Sequence, residues 1–492
     1  MPTEIEDTDG DSSTSSFLSQ PSADLEEGYR RVSTSEKVKE GEREQRSRDR
    51  ENGRCHRTTI LATCLFLLLF YFVVKSVLPE PTEEGSAVEY RIKDEEAALT
   101  EYPLSTRWRA PPAGVSPSIS CSSLLAWSGA VSASPSPLLS SSETDSSCST
   151  LRSRVLPFRS LNNGFPLAFS KAVYTDYELI EQQLAVSFSF ENSFCFIVDS
   201  KATRPFVDRM NLLASCFPNV FIAAGDFNLD RFGHHQNRGH LSCMRTLMPR
   251  PWKYLLIMQN HDILLKSNSE LARIFSLLNG TSDIEVTECR KKRCEPRLDA
   301  DIHRLQLCRE SEECKQRKRL FWAKGAQQSS LSREAVHFIL HGLNVDPLVK
   351  MINFLDEGVD EILLASLAVS SIGFPGGYTP QCLPRRNSFI SRYSNWQEHP
   401  EGCKSGFLRH YICILDVRDL PRLASSRFLL ANKMWPSHDF SSIHCMAELV
   451  FNRSRLFTPP FIDSSFYFNL PAVRYNRLMR ERGVNGTEEF KC

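Results

Sequence analysis

The chain has 492 residues, 41% of them hydrophobic and 24% charged, a globular balance that excludes a wholly disordered polymer and is too long for one ordinary compact domain. Lysine plus arginine number 59 and aspartate plus glutamate 59, so the net charge is zero and no basic field invites nucleic acid as a partner. Sixteen cysteines point to an oxidising compartment.

Charge and apolar residues are unevenly placed along the chain. Residues 1–28 hold eight acids and no Lys or Arg, and residues 29–58 hold ten Lys or Arg against six acids. Ser, Thr, Asp and Glu dominate both stretches, so 1–58 is expected to be a disordered tail. Residues 59–78 then read as a membrane span: an apolar run of about the 20 residues a bilayer needs, without a polar stripe, with Lys75 placed to snorkel. Arg46, Arg48, Arg50, Arg54 and Arg57 precede the span, which predicts a single-pass signal anchor with a cytosolic N-terminus and a lumenal C-terminal part. The glycosylation acceptors Asn279, Asn452 and Asn485 and fourteen of the cysteines all lie beyond the span, as that orientation requires. Cys289, Cys294, Cys308 and Cys314 with His303 come nearest to a zinc set. Their spacing matches no standard ribbon, so disulfides are expected there and no metal. Residues 79–150 are rich in Ser and Pro and are expected to form a lumenal stem, leaving 151–492 as the lumenal folded domain.

That domain opens with alternating patterns. Strands are predicted at 165–173, 194–198, 219–223 and 254–258, and helices at 177–186, 205–215, 240–247 and 269–278. Short apolar strands separated by amphipathic helices predict an α/β fold with a mostly parallel sheet covered on both faces. Ligands in such folds sit at the carboxyl ends of the strands, which makes Asp199 and Asp262 candidates; a loop-capping role is the alternative for each. No GxGxxG or GxxxxGK[ST] pattern occurs, which disfavours ATP and dinucleotide use, and HExxH and GxSxG are absent as well.

A set of blocks narrows this further: FCFIVDSKA (194–202), ASCFPNVFIA (214–223), LSCM (241–244), PWKYLLIMQNHDILLKSNSELARIF (251–275), GVDEILLASL (358–367), NWQ (395–397) and FLLANKMWPSHDFSSIHC (428–445). In this order they resemble the core 2/I-branching β-1,6-N-acetylglucosaminyltransferase family, in particular its divergent nematode members. The resemblance implies a GT-A-like fold and an inverting transfer of GlcNAc from UDP-GlcNAc to a glycan acceptor, in a Golgi membrane enzyme that uses no metal. Peptide O-xylosyltransferases of the wider group are the competing enzyme reading, and a catalytically silent glycan-binding protein on the same fold is a third. Oligomeric state is left open.

By the same resemblance Glu361, in the Asp360-Glu361 pair, is the general base. Lys433 and Arg409 take the place of a metal on the diphosphate, although Arg409 stands four residues before Cys413 where the family has three. Asp199 and, more weakly, Val173 address the uridine. Trp396 offers an aromatic platform to the acceptor sugar, and Glu285 binds the acceptor as well. The segment after Glu285, 286–318, departs from the vertebrate enzymes and carries an Asp299-Ala-Asp301 motif in a charged context unlike that of a metal-holding Asp-x-Asp. The implied disulfides are Cys195–Cys243, Cys148–Cys216, Cys121–Cys445 and Cys403–Cys413, with two more among Cys289, Cys294, Cys308 and Cys314; Cys382 and Cys492 are left over, unpaired or joined.

Overall fold

The computed structural model describes residues 120–491 apart from 126–133, 139–146, 156–163, 290–293, 295–297, 310, 384–387, 400, 455–460 and 484–489. The predicted tail (1–58), anchor (59–78), most of the stem and Asn485 lie outside the described residues. Among the described residues no helix is long and apolar enough to cross a membrane.

Four parallel strands build the centre: β1 (Leu167–Val173), β2 (Ser193–Val198), β3 (Val220–Ile222) and β4 (Tyr254–Met258). After β4 come the short β5 (Ile263–Leu264), then β6 (Thr287–Glu288) and β7 (Ala323–Lys324), which pair as a hairpin, and β8 (Ser330–Ser332). β8 closes the central sheet antiparallel to β4, giving the order β3-β2-β1-β4-β8. The predicted helices are present, at Tyr177–Ser187, Arg204–Cys216, Gln236–Leu247 and Asn268–Leu278. The third starts about one turn earlier than its apolar pattern does, because its first turn is polar.

Alternation along the strands explains the layers. Successive side chains point to opposite faces, so residues two apart share one. Ala168, Cys195, Ile197, Leu255 and Ile257 join Leu241 and Met244 of the helix Gln236–Leu247 in one core. Phe169, Phe194, Phe196 and Leu256 face the other way, into a core with Ile180, Met210, Leu213, Ile274 and Phe275. Cys195–Cys243 pins β2 to its helix on the first face, and Cys148–Cys216 pins the helix Cys148–Val155 on the second. The sheet is therefore mostly parallel and covered on both faces, as the alternation predicts.

A second, smaller sheet forms the far edge of the cleft. β9 (Arg392–Tyr393), the hairpin of β10 (Leu408–Arg409) and β11 (Ile412–Cys413), and β12 (Leu430–Ala431) follow in the chain. β12 runs antiparallel to β5 and parallel to β9. The long helix Phe440–Ser454 packs behind it in a third core with Ile263, Leu415 and Val417. Cys121–Cys445 ties the short helix Cys121–Leu125 to that helix. Residues assigned by composition to the stem thus reach the folded body. Ser136 accepts from the Phe440 amide at 2.8 Å, and Leu138 donates to the Pro436 carbonyl at 3.0 Å. Backbone pairing, one disulfide and the packing of Leu124, Leu125 and Leu138 against the third core hold this stretch.

The remaining bridges are Cys403–Cys413, Cys289–Cys294 and Cys308–Cys314. The four cysteines of the insert are thus used in pairs as disulfides, and Cys382 is also disulfide-bonded.

His240 gives the fold a pH dependence. It is buried, its Nδ1 meets the Ser170 hydroxyl at 2.7 Å, and its Nε2 has no partner. Burial pushes its pKa down to about 3, so it is neutral in the folded protein while the unfolded imidazole titrates near 6.5. Between those values the unfolded chain binds the extra proton, so stability falls as pH drops. Denaturant unfolding of the wild type is expected to lose about 1.5 kcal/mol from this group between pH 6.5 and 5. His240→Gln should show a correspondingly flatter profile over that interval.

Candidate active site

The carboxyl ends of β1 and β2 form the floor. Val173 pairs with Val198 in register and is buried, and its carbonyl accepts from the Asp199 amide at 3.0 Å. Asp199 is itself buried; its Oδ1 accepts from the Lys201 amide at 3.0 Å and lies 3.6 Å from the Lys201 ammonium. Tyr174, next after Val173, is held by Asn260 Oδ1, which accepts its amide at 2.8 Å. Burial raises the Tyr174 hydroxyl, Arg409 pulls it back, and Asp176 and Asp199 push it up, which places all four groups within electrostatic reach.

A run of ring contacts leads from this floor to the cations. Tyr174 meets His261 edge-on at 5.8 Å, and His261 packs against Trp435 at 5.8 Å. His261 is fixed by a 2.7 Å contact with Asp176. The Arg409 guanidinium lies 4.3 Å from the centroid of Trp435, a cation–π seat that holds it flat. Lys433, two residues before Trp435, is half-buried; burial, then Arg409 and Arg392, lower its pKa to about 8 against a smaller pull from Asp262. Arg409, Arg392 and Lys433 thus concentrate positive charge beside the strand ends.

Arg409 lies on β10, four residues before Cys413. It pairs with Ile412 across the β10–β11 hairpin, and His410 with Tyr411 forms the two-residue tip. Both have positive φ, 50° and 61°, as a tight hairpin turn demands. Two non-glycine residues there cost about 1–2 kcal/mol each. The ladder carrying Arg409 is regular.

Glu361 ends a single 3-10 turn, Val359–Glu361, and the α-helix proper runs from Leu363 to Val369. The Asp-Glu pair thus sits in a turn ahead of the helix. The Glu361 carboxylate is 3.8 Å from the Lys324 ammonium, and its carbonyl accepts from the Gly325 amide at 2.9 Å. Glu285 is buried on the other side of the same segment, accepting from the Ala326 amide at 2.9 Å. Glu285 and Glu361 therefore flank residues 324–326. Trp396 is 39% exposed, bridges to Ile412, and carries Arg392 6.0 Å above its ring.

One buried carboxylate joins these parts. Asp262 accepts from Gln328 at 3.0 Å, from Asn432 at 2.7 Å and from the Gln259 amide at 2.6 Å. Gln259 in turn donates to Gln327 at 2.7 Å and to Asp360 at 3.3 Å, and Arg392 donates to Gln328 at 2.9 Å. The residue before Lys433 and the residue before Glu361 are thus ends of one polar network. Asp262, accepting from the Gln259 amide three residues earlier, caps the loop after β4.

Asp299 and Asp301 stand apart from this. They cap an exposed turn: Asp301 accepts from the His303 and Arg304 amides at 2.9 Å each, and Asp299 pairs with Arg304 at 2.9 Å. Asn279 ends the helix Asn268–Leu278 and Asn452 lies on the helix Phe440–Ser454, both exposed. A cavity of about 530 Å3 bounded by Met248, Arg333, His337 and His341 is lined by none of the site residues above. Sequence reading passed over Gln259, Gln327, Gln328, Lys324, Arg392 and Trp435. Gln259 and Trp435 lie inside quoted blocks, but nothing in residues 324–328 or at Arg392 marks them.

The mostly parallel α/β sheet thus carries a cation cluster that is linked through Asp262 to the turn bearing Glu361. The sequence model of the Core-2/I-branching enzyme family matches residues 167–424, and the chain belongs to that glycosyltransferase family. It is 26% identical over 307 residues to human β-1,3-galactosyl-O-glycosyl-glycoprotein β-1,6-N-acetylglucosaminyltransferase 3, covering 58% of this chain and 68% of the relative. The sheep enzyme of the same name is 29% identical over 299 residues, 58% and 67% of the two chains. A bovine herpesvirus 4 β-1,3-galactosyl-O-glycosyl-glycoprotein β-1,6-N-acetylglucosaminyltransferase is 26% identical over 306 residues, 58% and 67%. Lys433 lies just beyond the matched segment.

Gly233 buttresses the Glu361 turn from outside. Its φ is +89°, and a Cβ there would fall 2.1 Å from Asp360 Oδ1 and 2.7 Å from the Asp360 amide nitrogen. Gly233→Ala is expected to displace the turn and lower kcat by about tenfold or more, since small misplacement of a reacting group is expensive. Steady-state kinetics beside a thermal melt check that the loss exceeds any loss of fold.

Proposed function

We propose that the protein transfers GlcNAc from UDP-GlcNAc in β-1,6 linkage to a glycan acceptor, with inversion and without a metal, as a branching enzyme of O-glycans. The observation that carries this reading is the link between Lys433 and the Glu361 turn through Asp262, Gln259 and Asp360, within a family whose matched relatives bear that activity in their names.

In the proposed step Glu361 takes the proton of the acceptor hydroxyl as its oxygen attacks the anomeric carbon of the donor. The bond from that carbon to the β-phosphate oxygen breaks, and its electron pair leaves with UDP. Arg409 and Lys433 meet the charge that develops there, the task a divalent cation performs elsewhere. Asp199 and Val173 hold the uridine at the ends of β2 and β1. Trp396 stacks on an apolar face of the acceptor sugar, and Glu285 accepts from its hydroxyls. Residues 59–78 anchor the enzyme in the Golgi membrane, N-terminus in the cytosol and catalytic domain in the lumen.

The test is transfer from UDP-GlcNAc and UDP-xylose to O-glycan acceptors in EDTA, with Glu361→Gln alongside. GlcNAc transfer that survives EDTA and falls by roughly 10²–10⁴-fold in the variant supports the reading. Xylose transfer selects the rival enzyme, a manganese requirement removes the metal-free mechanism, and UDP binding without turnover on any acceptor favours a silent fold.

Lys433 adds a pH signature. With its pKa lowered to about 8 in the free protein, its positive charge is present below that value and lost above it. UDP affinity is expected to fall as pH rises from 7 to 9, and Lys433→Met should bind about tenfold more weakly at pH 7 with a flatter profile. Calorimetric titration at several pH values measures both.

A further inference from the structure

The helix that follows β8 changes its winding midway. It is an α-helix over Arg333–His337 and continues without a break as a π-helix over Phe338–Gly342. The Leu343 amide donates to the Phe338 carbonyl, five residues back, at 3.1 Å. Ala335, Val336 and Ile339 are buried in the first core, which fixes the rotation of the element. The opposite face carries Glu334, His337 and His341, all exposed. Turns widened in this way are rare and occur mostly at functional positions. This one brings the two histidines, four residues apart, onto one line along the helix.

The two imidazole rings lie 4.6 Å apart between centroids, tilted by 41°. Among the described residues neither ring has a hydrogen bond or an ion pair. Each neutral imidazole keeps one nitrogen lone pair for a ligand. A metal held by two such nitrogens, with bonds of about 2.0–2.1 Å, sets them roughly 3–3.5 Å apart. Two histidines at i and i+4 on one helix face are the spacing that meets this demand. The rings and Glu334, one turn ahead, line the cavity of about 530 Å3 that lies apart from the cation cluster. Ser311, from the divergent segment 286–318, forms its other wall. In that segment Arg309 donates from its amide to the Gly342 carbonyl at 3.0 Å and from its guanidinium to the Leu340 carbonyl at 3.4 Å. Cys308–Cys314 closes the loop that holds both Arg309 and Ser311. The divergent segment thus grips the π-turn that aligns the pair.

We propose that His337 and His341 chelate a divalent transition-metal ion of the class that imidazole prefers, zinc or copper(II), with water completing its coordination from the cavity. Magnesium and calcium are disfavoured, since they take oxygen ligands. The Glu334 carboxylate adds negative charge on the same face. None of the residues assigned to glycosyl transfer lines this cavity, so the ion is structural: it ties the α-helical turn to the π-turn, and the metal-free transfer proposed above does not depend on it. The cluster of Cys121, His444 and Glu448 is no rival, because the Cys121 sulfur is committed to Cys445.

The test uses the full chain in detergent, purified without a polyhistidine tag and stripped with chelator. Calorimetric titration with zinc chloride is expected to show one ion bound per chain, and titration with magnesium chloride none. His337→Gln and His341→Gln should each weaken zinc binding by about tenfold or more, at least the effect of losing an outer contact to a metal ligand. Zinc should raise the melting temperature of the wild type and leave that of either variant unchanged. Both side chains are exposed, so the metal-free melts of the variants should match the wild type and show that they fold. Electron paramagnetic resonance of bound copper(II) should show coupling to two imidazole nitrogens in the wild type and to one in each variant. A zinc dissociation constant above about 1 mM overturns the site, as does an affinity within twofold of the wild type in both variants, which would place the ion on other histidines.

Discussion

The site depends on Asp262, a carboxylate with no exposed surface at the turn between β4 and β5. Burial drives its pKa up; the Gln259 amide, Lys171, Arg392 and Gln328 pull it down. Each partner belongs to a different part of the cleft. Lys171 comes from β1 and also donates to the Asp262 carbonyl at 3.0 Å, Gln328 precedes β8, and Asn432 follows β12. Removing one partner of such a buried charge typically costs about 3–5 kcal/mol, because the other charge is left without compensation. The hydrogen bonds that satisfy the carboxylate therefore also tie the residue before Lys433 to the residue before Glu361.

The small sheet gives that junction its reach. β5 begins immediately after Asp262, β12 ends immediately before Asn432, and β9 contains Arg392. Pairing of Ala431 with Ile263 brings Asp262 and Lys433 to the same end of β5 and β12, while Arg392 pairs with Leu430 at the other end of the short ladder. Strands of two residues are marginal by themselves. Here they are held by the core around Phe440, Ile443 and Leu415 behind them.

Much of the central sheet was legible because each strand is a short apolar run between helices with helical spacing. Tyr254–Met258 matches its predicted bounds, and the others differ by one or two residues. The smaller sheet was not legible: two-residue strands have no period, and Arg392 resembles any surface arginine until Leu430 pairs with it. In the site, the groups carried by the resemblance could be named singly, but not what connects them. Glutamines 259, 327 and 328 carry no chemical signature in sequence. They join the network only because β4 and the segment ahead of β8 bring them side by side. Asp262 had a signal, its place at a strand end, and that signal could not distinguish a ligand from a strut.

The cation cluster carries an internal conflict that argues for an anionic occupant. Lys433 is half-buried beside two guanidiniums, and its pKa is held near 8 where an exposed lysine titrates near 10.4. That difference corresponds to about 3 kcal/mol of unfavourable interaction. Because the folded value lies below the unfolded one, the penalty is fully present below about pH 8. A chain with no net charge gains nothing in solubility from concentrating cations in one cleft. Neutral replacements would relax the fold, so the charge is a cost the empty site bears. An anion beside Lys433 would offset the repulsion from Arg409 and Arg392 and raise the lysine pKa, while the cost of burial, the largest contribution, would remain. Binding and folding then pull in one direction, and ligand should stabilise this region beyond what contact area alone supplies.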